Sequence, residues 1–320
     1  KIYIFTIILI VCFSNNVYAL YNEAKEKSDH RIQFLIDKLS TEIPRHERNA
    51  AGRELLEIGD PAIPLLIKSL ETDDWMKQYC IIQTLTYLEA KESVPHLIPL
   101  LNSEKKEIAI SVAIAIGQIG DKRGFEPLHD VLKETNDTHR KSAIIIGLGL
   151  MGDKRAIPIL KKELKESKNI IIQIHAAGSL GRLGNKEGFS TVLKYLKSKD
   201  IEEKTNAIQA IGIIGDKQAV PILEEILTDP NEKYKSQVLL SLKQIEFKNL
   251  TEEEKVPFLA DCLKNKESMI KIWAVKELGK DGSPQAIEEL KKSTEDKKIK
   301  ELAILELRKK KISIKKDFQK

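Results

Sequence analysis

A glycine-led turn recurs along this chain at a nearly constant interval, and that interval constrains the fold more than any single motif. The turn stands as Gly59-Asp60-Pro61-Ala62, Gly120-Asp121-Lys122-Arg123, Gly152-Asp153-Lys154-Arg155, Gly184-Asn185-Lys186-Glu187 and Gly215-Asp216-Lys217-Gln218, with a weaker copy at Gly282-Ser283-Pro284. From Gly120 the steps are 32, 32 and 31 residues, to Gly152, Gly184 and Gly215. Gly59 to Gly120 is 61 residues, two periods, with Glu89 in the unfilled slot; Gly215 to Gly282 is 67, two periods and a small insertion. A fixed period of this size is the mark of a repeat array, in which each unit buries its apolar face only against its neighbours.

Each unit reads as two helices. After the glycine turn comes a short helix such as Ala156–Glu166, with Pro158 in the first turn, where a missing N–H costs nothing, and Leu160 and Leu164 on one stripe. A polar turn follows, such as Thr72-Asp73-Asp74, Thr135-Asn136-Asp137, Ser167-Lys168-Asn169 or Thr228-Asp229-Pro230, offering Asp, Asn and Thr as N-caps. The second helix is more apolar, as in 170–183, and ends at the next glycine, which suits a left-handed C-cap. Three residues before the anchor stand Gly117, Gly149, Gly181, Gly212 and Gly279, with Ala113, Ala176, Ala177, Ala207 and Ala274 on the same side. A glycine inside a helix costs about 1 kcal/mol against alanine, so a column of them points to close helix approach. The expected architecture is all-α: an α-solenoid, or superhelix, of about eight helix pairs over 59–310. Residues 20–58 form an N-terminal helical cap. The seventh repeat, with 249–254 inserted before Pro257, is the place for a bend or altered stacking.

The two ends of the chain read differently. Lys1, the uncharged apolar run 2–13 and Val17-Tyr18-Ala19 have the three parts of a secretory signal peptide cleaved after Ala19. The run is shorter than the roughly 20 apolar residues of a membrane span. A lipoprotein signal through Cys12 is disfavoured because Val11 stands where a small residue is usual. The expected location is therefore exported: periplasm or cell envelope. The net charge of +5 is concentrated at the other end, where 308–320 hold seven basic residues and one acid. With leader and tail set aside the body is near neutral, which argues against nucleic acid as a partner. The basic tail 311–320 leaves room for weak contact with an anionic membrane surface. Cys80 and Cys262 fall about six repeats apart, too far for a disulfide in such an array.

In the motifs Ala115-Ile116-Gly117-Gln118-Ile119-Gly120-Asp121, Ser179-Leu180-Gly181-Arg182-Leu183-Gly184-Asn185 and Ala210-Ile211-Gly212-Ile213-Ile214-Gly215-Asp216 the chain resembles HEAT repeats of the short type named after phycobilisome (bilin) lyase subunits. The resemblance covers about 45–310 and implies the helix-pair solenoid. It implies little about function, because the scaffold serves many jobs. Deoxyhypusine hydroxylase, a related array, binds two irons through repeated His-Glu pairs; here His46-Glu47 is the single such pair, and His30, His96, His129, His139 and His175 lack the following Glu. Bilin lyases act on cytoplasmic proteins, which an exported chain would not meet. No phosphate loop, no metal-spaced Cys/His cluster and no recognisable nucleophile–His arrangement stands out. No cofactor is expected.

Two columns carry the remaining chemistry. Eleven residues before each anchor lie Arg48, Gln78, Ala109, Lys141, Gln173, Lys204, Lys235, Lys271 and Lys300, expected to pair with turn acids such as Asp73, Asp137 and Asp229 rather than to bind an anion. Six and two residues before the anchors, opposite the small residues by helical phase, lie Ile114, Ile146, Leu150, Arg182 and Ile213. In arrays of this kind the second helices line the concave surface, and an exposed apolar strip marks a partner site. These five residues are the candidate binding site, for a segment of another protein. His175 and Trp273 are also outward by phase; His175 is expected to be solvated and Trp273 to pack within the degenerate repeat. The function expected is a non-catalytic scaffold or adaptor. The alternatives are an enzyme or enzyme subunit of the bilin-lyase-like class and a peripheral protein binding anionic lipid through the tail.

Overall fold

The computed structural model describes residues 25–228 and 234–310. The leader 1–19 with Cys12, the tail 311–320 and Asp229 lie outside the described residues. Within them the chain is all-α and of the α-solenoid class. Nine helix pairs follow one another: α1 (25–37) with α2 (Arg45–Ile58), α3 (Ile63–Lys68) with α4 (Trp75–Tyr87), α5 (Val94–Leu97) with α6 (Lys106–Ile119), α7 (Phe125–Glu134) with α8 (Thr138–Met151), α9 (Ala156–Glu166) with α10 (Ile170–Arg182), α11 (Phe189–Tyr195) with α12 (Ile201–Ile214), α13 (Val220–Leu227) with α14 (Lys235–Lys248), α15 (Glu252–Cys262) with α16 (Ser268–Asp281), and α17 (Pro284–Ser293) with α18 (Lys300–Lys309). The chain divides into two compact units, Lys1–Ser111 and Val112–Lys320, the division falling within α6.

Turn chemistry sets the boundaries. Gly59, Gly120, Gly152, Gly184, Gly215 and Gly282 all have φ between 65° and 79°, where a Cβ is costly. Glu89 occupies the slot that the period assigns to a glycine, and among the described residues it is the one non-glycine with positive φ, at 53°. The turn geometry thus persists where its usual residue does not, at a cost of about 1 kcal/mol. The second helices start on side-chain caps: Asp137 accepts from the Arg140 N–H at 2.9 Å, Asn169 from that of Ile172 at 3.2 Å, and Asp200 from those of Glu202 and Glu203, both at 2.9 Å.

In the first unit, Asp74 caps α4 through the N–H groups of Met76 and Lys77, while its other oxygen accepts from the Ser40 hydroxyl at 2.7 Å and the Thr41 N–H at 2.8 Å. Burial alone would raise this carboxyl, but the Ser40 hydroxyl and the N–H groups of Thr41 and Lys77 hold it well below the usual carboxylate range. Arg31 and Glu54 add a two-pronged ion pair between α1 and α2, at 2.6 and 2.8 Å.

In the second unit the glycine column does what its phase implies. A Cβ on Gly117 would lie 2.3 Å from the Gly147 carbonyl oxygen, one on Gly149 2.5 Å from the Ser179 Cβ, and one on Gly181 2.8 Å from Ile214. Gly147, outside that column, faces back the same way, its Cβ position 2.4 Å from the Ala113 carbonyl oxygen. Second helices therefore meet backbone to backbone. Serines strengthen the contact: Ser179 donates to the Ile145 carbonyl at 2.9 Å and Ser241 to that of Ile208 at 2.7 Å.

The degenerate repeat departs from this pattern. Thr251 and Glu254 form a capping box that starts α15 a turn earlier than its counterparts, so Pro257 falls inside the helix. α14 lacks the packed glycine, and its contact with α16 is much slighter than that between α12 and α14. Aromatics fill the space: Phe247 meets Trp273 edge to face at 5.4 Å and Phe258 at 6.3 Å. Trp273 is a packing residue of this core cluster.

Two substitutions test the account. Glu89→Gly is expected to raise the melting temperature by about 1–2 °C, because relief of the left-handed strain exceeds the entropy that a glycine adds to the unfolded chain; a lower melting temperature would mean that contacts of the Glu89 side chain outweigh the strain. Gly147→Ala should lose about 1–3 kcal/mol in urea unfolding, although alanine is the better helix former, because its methyl meets the Ala113 carbonyl. A stabilised variant would show that α6 and α8 part freely.

Candidate protein-binding face

With their small residues turned against neighbouring second helices, α8, α10, α12, α14 and α16 of the second unit present a common outward side. Helix order along it follows the contacts α8–α10, α10–α12, α12–α14 and α14–α16. Of the five candidate residues, Ile114, Ile146, Leu150 and Ile213 are half-buried and Arg182 is exposed. The strip is therefore less open than helical phase alone predicts. Gly178, at the phase of Ile114 and Ile146, shows why: its Cβ position lies 3.3 Å from the Ala210 Cβ, so this phase points partly into the next helix. Gln118, Arg182 and Lys280, two residues before their anchors, reach solvent, as do Gln209 and Lys276, six residues before theirs.

His175 differs from expectation in the same sense. It is half-buried, with Nε2 3.3 Å from the Asn206 Oδ1 on α12 and Nδ1 buried without a partner among the described residues. Burial lowers its pKa, the Arg182 charge lowers it further, and the Asn206 hydrogen bond and the Glu202 carboxylate only partly oppose this. The close approach of α10 and α12 closes over a ring that an isolated helix would leave in water.

The column eleven residues before the anchors is structural, and at Lys271 it pairs with a turn acid, Asp296, as expected; elsewhere its partners differ. Arg48 donates to the Ser40 and Ile43 carbonyls, both at 3.1 Å, Gln78 to the Leu70 carbonyl at 2.9 Å and Gln173 to the Ser167 carbonyl at 2.7 Å. Lys141 pairs with Glu163 at 3.4 Å, Lys271 with Asp296, and Lys204 lies over the Tyr234 ring. Asp137 is committed to its helix cap. Arg48, Gln78 and Gln173 satisfy orphan carbonyls at turns, a need that charge counting along the sequence does not register.

A basic group on the outward side escaped sequence reasoning. Lys248 donates to the Gly181 carbonyl at 3.3 Å and to the Ile213 carbonyl, placing its amine at the carboxyl ends of α10 and α12, beside Arg182. Lys186 follows α10 and pairs with Asp216 at 3.2 Å; Lys280 pairs with Glu277 at 2.7 Å. Burial lowers the Lys248 pKa, and the charges of Arg182, Lys186 and Lys280 lower it further against the opposing Glu277. Arg182 is open to water yet crowded by protein, so desolvation lowers its pKa too; a guanidinium remains charged regardless. Lys248 was missed because the period puts the anchor of its repeat at 246, whereas α14 runs on to a C-cap at Asn249, so the column register is lost there.

In the first unit, Trp75, Tyr79 and Tyr87 on α4 are 40%, 37% and 41% exposed. Open grooves of about 580 and 570 Å³ run by Leu70, Pro95 and Pro99 in the first unit and by Leu132, Pro158 and Ile159 in the second. Among the described residues no group of three or more His, Cys, Asp or Glu is placed to hold a metal ion, and no helix is long and apolar enough to cross a membrane. Cys80 and Cys262 are free thiols, and burial pushes Cys262 up to about 11.

A family model for HEAT repeats matches residues 94–173 and 160–243. No curated protein sequence matches the chain. Among solved structures, the complex of CpcE and CpcF of phycocyanin lyase from Nostoc sp. PCC7120 is similar at 20% identity and a TM-score of 0.54, over 71% of this chain and 92% of that one. Human deoxyhypusine hydroxylase aligns at 18% identity and a TM-score of 0.37, over 82% of this chain and 98% of that one. At such identities the likeness is one of fold.

The lowered His175 pKa carries a pH dependence. Below the unfolded value of 6.5 the unfolded chain takes up the proton first, so the contribution of His175 is complete above about pH 6.5 and is lost as pH falls through the folded value. Thermal unfolding from about pH 7 to pH 5 should show a loss of stability that is smaller in His175→Asn. Parallel curves for the two proteins would refute a buried neutral ring.

Proposed function

Residues 94–243 of this chain are HEAT repeats, and from that premise we propose that the protein is an exported scaffold or adaptor that binds another protein along the outward side of its second helices, without catalysis. The observation that supports this most is the juxtaposition on that side of half-buried Ile146 and Leu150 with exposed Arg182, on helices locked together by backbone contact. A rigid row of this kind offers a preformed surface, so a partner segment binds without the scaffold losing further freedom. The leader-like residues 1–19 support export to the periplasm or envelope. Likeness in fold to a lyase subunit is no ground for a catalytic reading, because a solenoid hosts many functions.

The experiment is a crosslinked pull-down from the envelope fraction, comparing the native protein with Ile146→Glu/Leu150→Glu and following helicity by circular dichroism. The reading is supported when a partner captured by the native protein is lost from a still-helical variant. An identical catch from both proteins sinks it, and a coloured or metal-loaded preparation would move the protein toward the enzymatic alternative.

A further inference from the structure

The scaffold reading leaves the partner's chemistry open, and the basic group near Arg182 narrows it. Arg182, Lys186, Lys248 and Lys280 gather at the carboxyl ends of α10, α14 and α16, with Asp216 and Glu277 as the acids paired among them. Helix dipoles account for part of this, since a cation at a carboxyl end is favourable. Lys248 fits that explanation because its amine donates to helix-end carbonyls. Arg182 does not: its guanidinium makes no hydrogen bond or ion pair among the described residues, although protein crowds it. A guanidinium offers five donors in a planar fork suited to a carboxylate, and here the fork is vacant.

The cations form a row rather than a cradle. They come from α10, α14 and α16, with the Lys248 amine reaching back to the carboxyl ends of α10 and α12; neighbouring helices pack roughly 8–10 Å apart, and the backbone groups beside the cations are carbonyls, which repel a concentrated anion. Such a row suits separate single charges on an extended chain, with its rise of about 3.3 Å per residue. On the α8 side it continues into Ile146 and Leu150. We propose that Arg182 and Lys280, with Lys186 and Lys248 between them, dock an acidic Asp/Glu-rich segment of a partner protein whose apolar residues lie toward α8 on Ile146 and Leu150. The inference rests on the scaffold reading and gives that partner an order: apolar end toward α8, acidic end toward α16.

Fluorescence anisotropy on the full chain tests it with four probes: a synthetic peptide with leucines in its first half and glutamates in its second, the same peptide with lysines for glutamates, inorganic phosphate as competitor, and vesicles of phosphatidylserine in phosphatidylcholine. The glutamate peptide is expected to bind, more weakly as salt rises. Arg182→Gln/Lys280→Gln, with unchanged helicity and melting temperature, should weaken it about tenfold or more. Equal affinity in that variant, equal binding of the lysine peptide, displacement by phosphate or preference for vesicles would each overturn the proposal. If Ile146→Glu/Leu150→Glu still loses the pull-down partner while Arg182→Gln/Lys280→Gln keeps it, the acidic-segment inference fails and the scaffold reading stands. If neither variant changes the catch, both fail.

Discussion

Backbone contact between consecutive second helices is the constraint on which the second unit depends. Gly117 against Gly147, Gly149 against Ser179 and Gly181 against Ile214 leave no room for a Cβ. At that spacing, side-chain hydroxyls reach the neighbour's carbonyls, as Ser179 and Ser241 do. Glycines weaken each helix taken alone, and the array recovers stability from the dispersion and hydrogen bonds that the approach permits. A polar atom here is safe because it is paired: Ser179 and Ser241 are fully buried, and each donates.

The same constraint shapes the outward side. Helices this close shield one another's flanks, so Ile114, Ile146, Leu150 and Ile213 are half-covered and the His175 ring is closed in between α10 and α12. What remains open are side chains long and polar enough to rise past the neighbours, such as Gln118, Gln209 and Lys276. Arg182 and Lys280 meet that condition, and Lys248 spans from its own helix to the carboxyl ends of α10 and α12. A face built for close packing thus displays its longest, most polar residues and keeps its aliphatic ones as flanking walls.

Where the glycine contact lapses, other chemistry takes its place. Between α14 and α16 the wedge of Phe247, Phe258 and Trp273 fills the wider gap, with Lys243 over the Phe258 ring at 4.9 Å. An extra helical turn, closed by the Thr251–Glu254 box, accompanies it and leaves Pro257 inside α15. The capping box and the internal proline trace to the insertion 249–254, whereas the missing glycine and Phe247 belong to α14 before it.

By itself, the sequence determined what is local. A left-handed turn needs glycine, a helix start needs an Asp or Asn cap, and an apolar stripe needs fixed spacing, so the period, the helix pairs and α9 at Ala156–Glu166 were legible from residues alone. Even Glu89, with the wrong residue type, was placed by counting, because its neighbours impose the turn. Tertiary structure alone decided which side of each second helix stays open, because that depends on how near the next helix lies. It also turned Arg48, Gln78 and Gln173 of the expected ion-pair column into caps on turn carbonyls, which sequence spacing does not reveal as unsatisfied. And it brought the Lys248 amine to Gly181, 67 residues earlier in the chain, beside Arg182; no spacing rule spans that distance once Asn249 has broken the register.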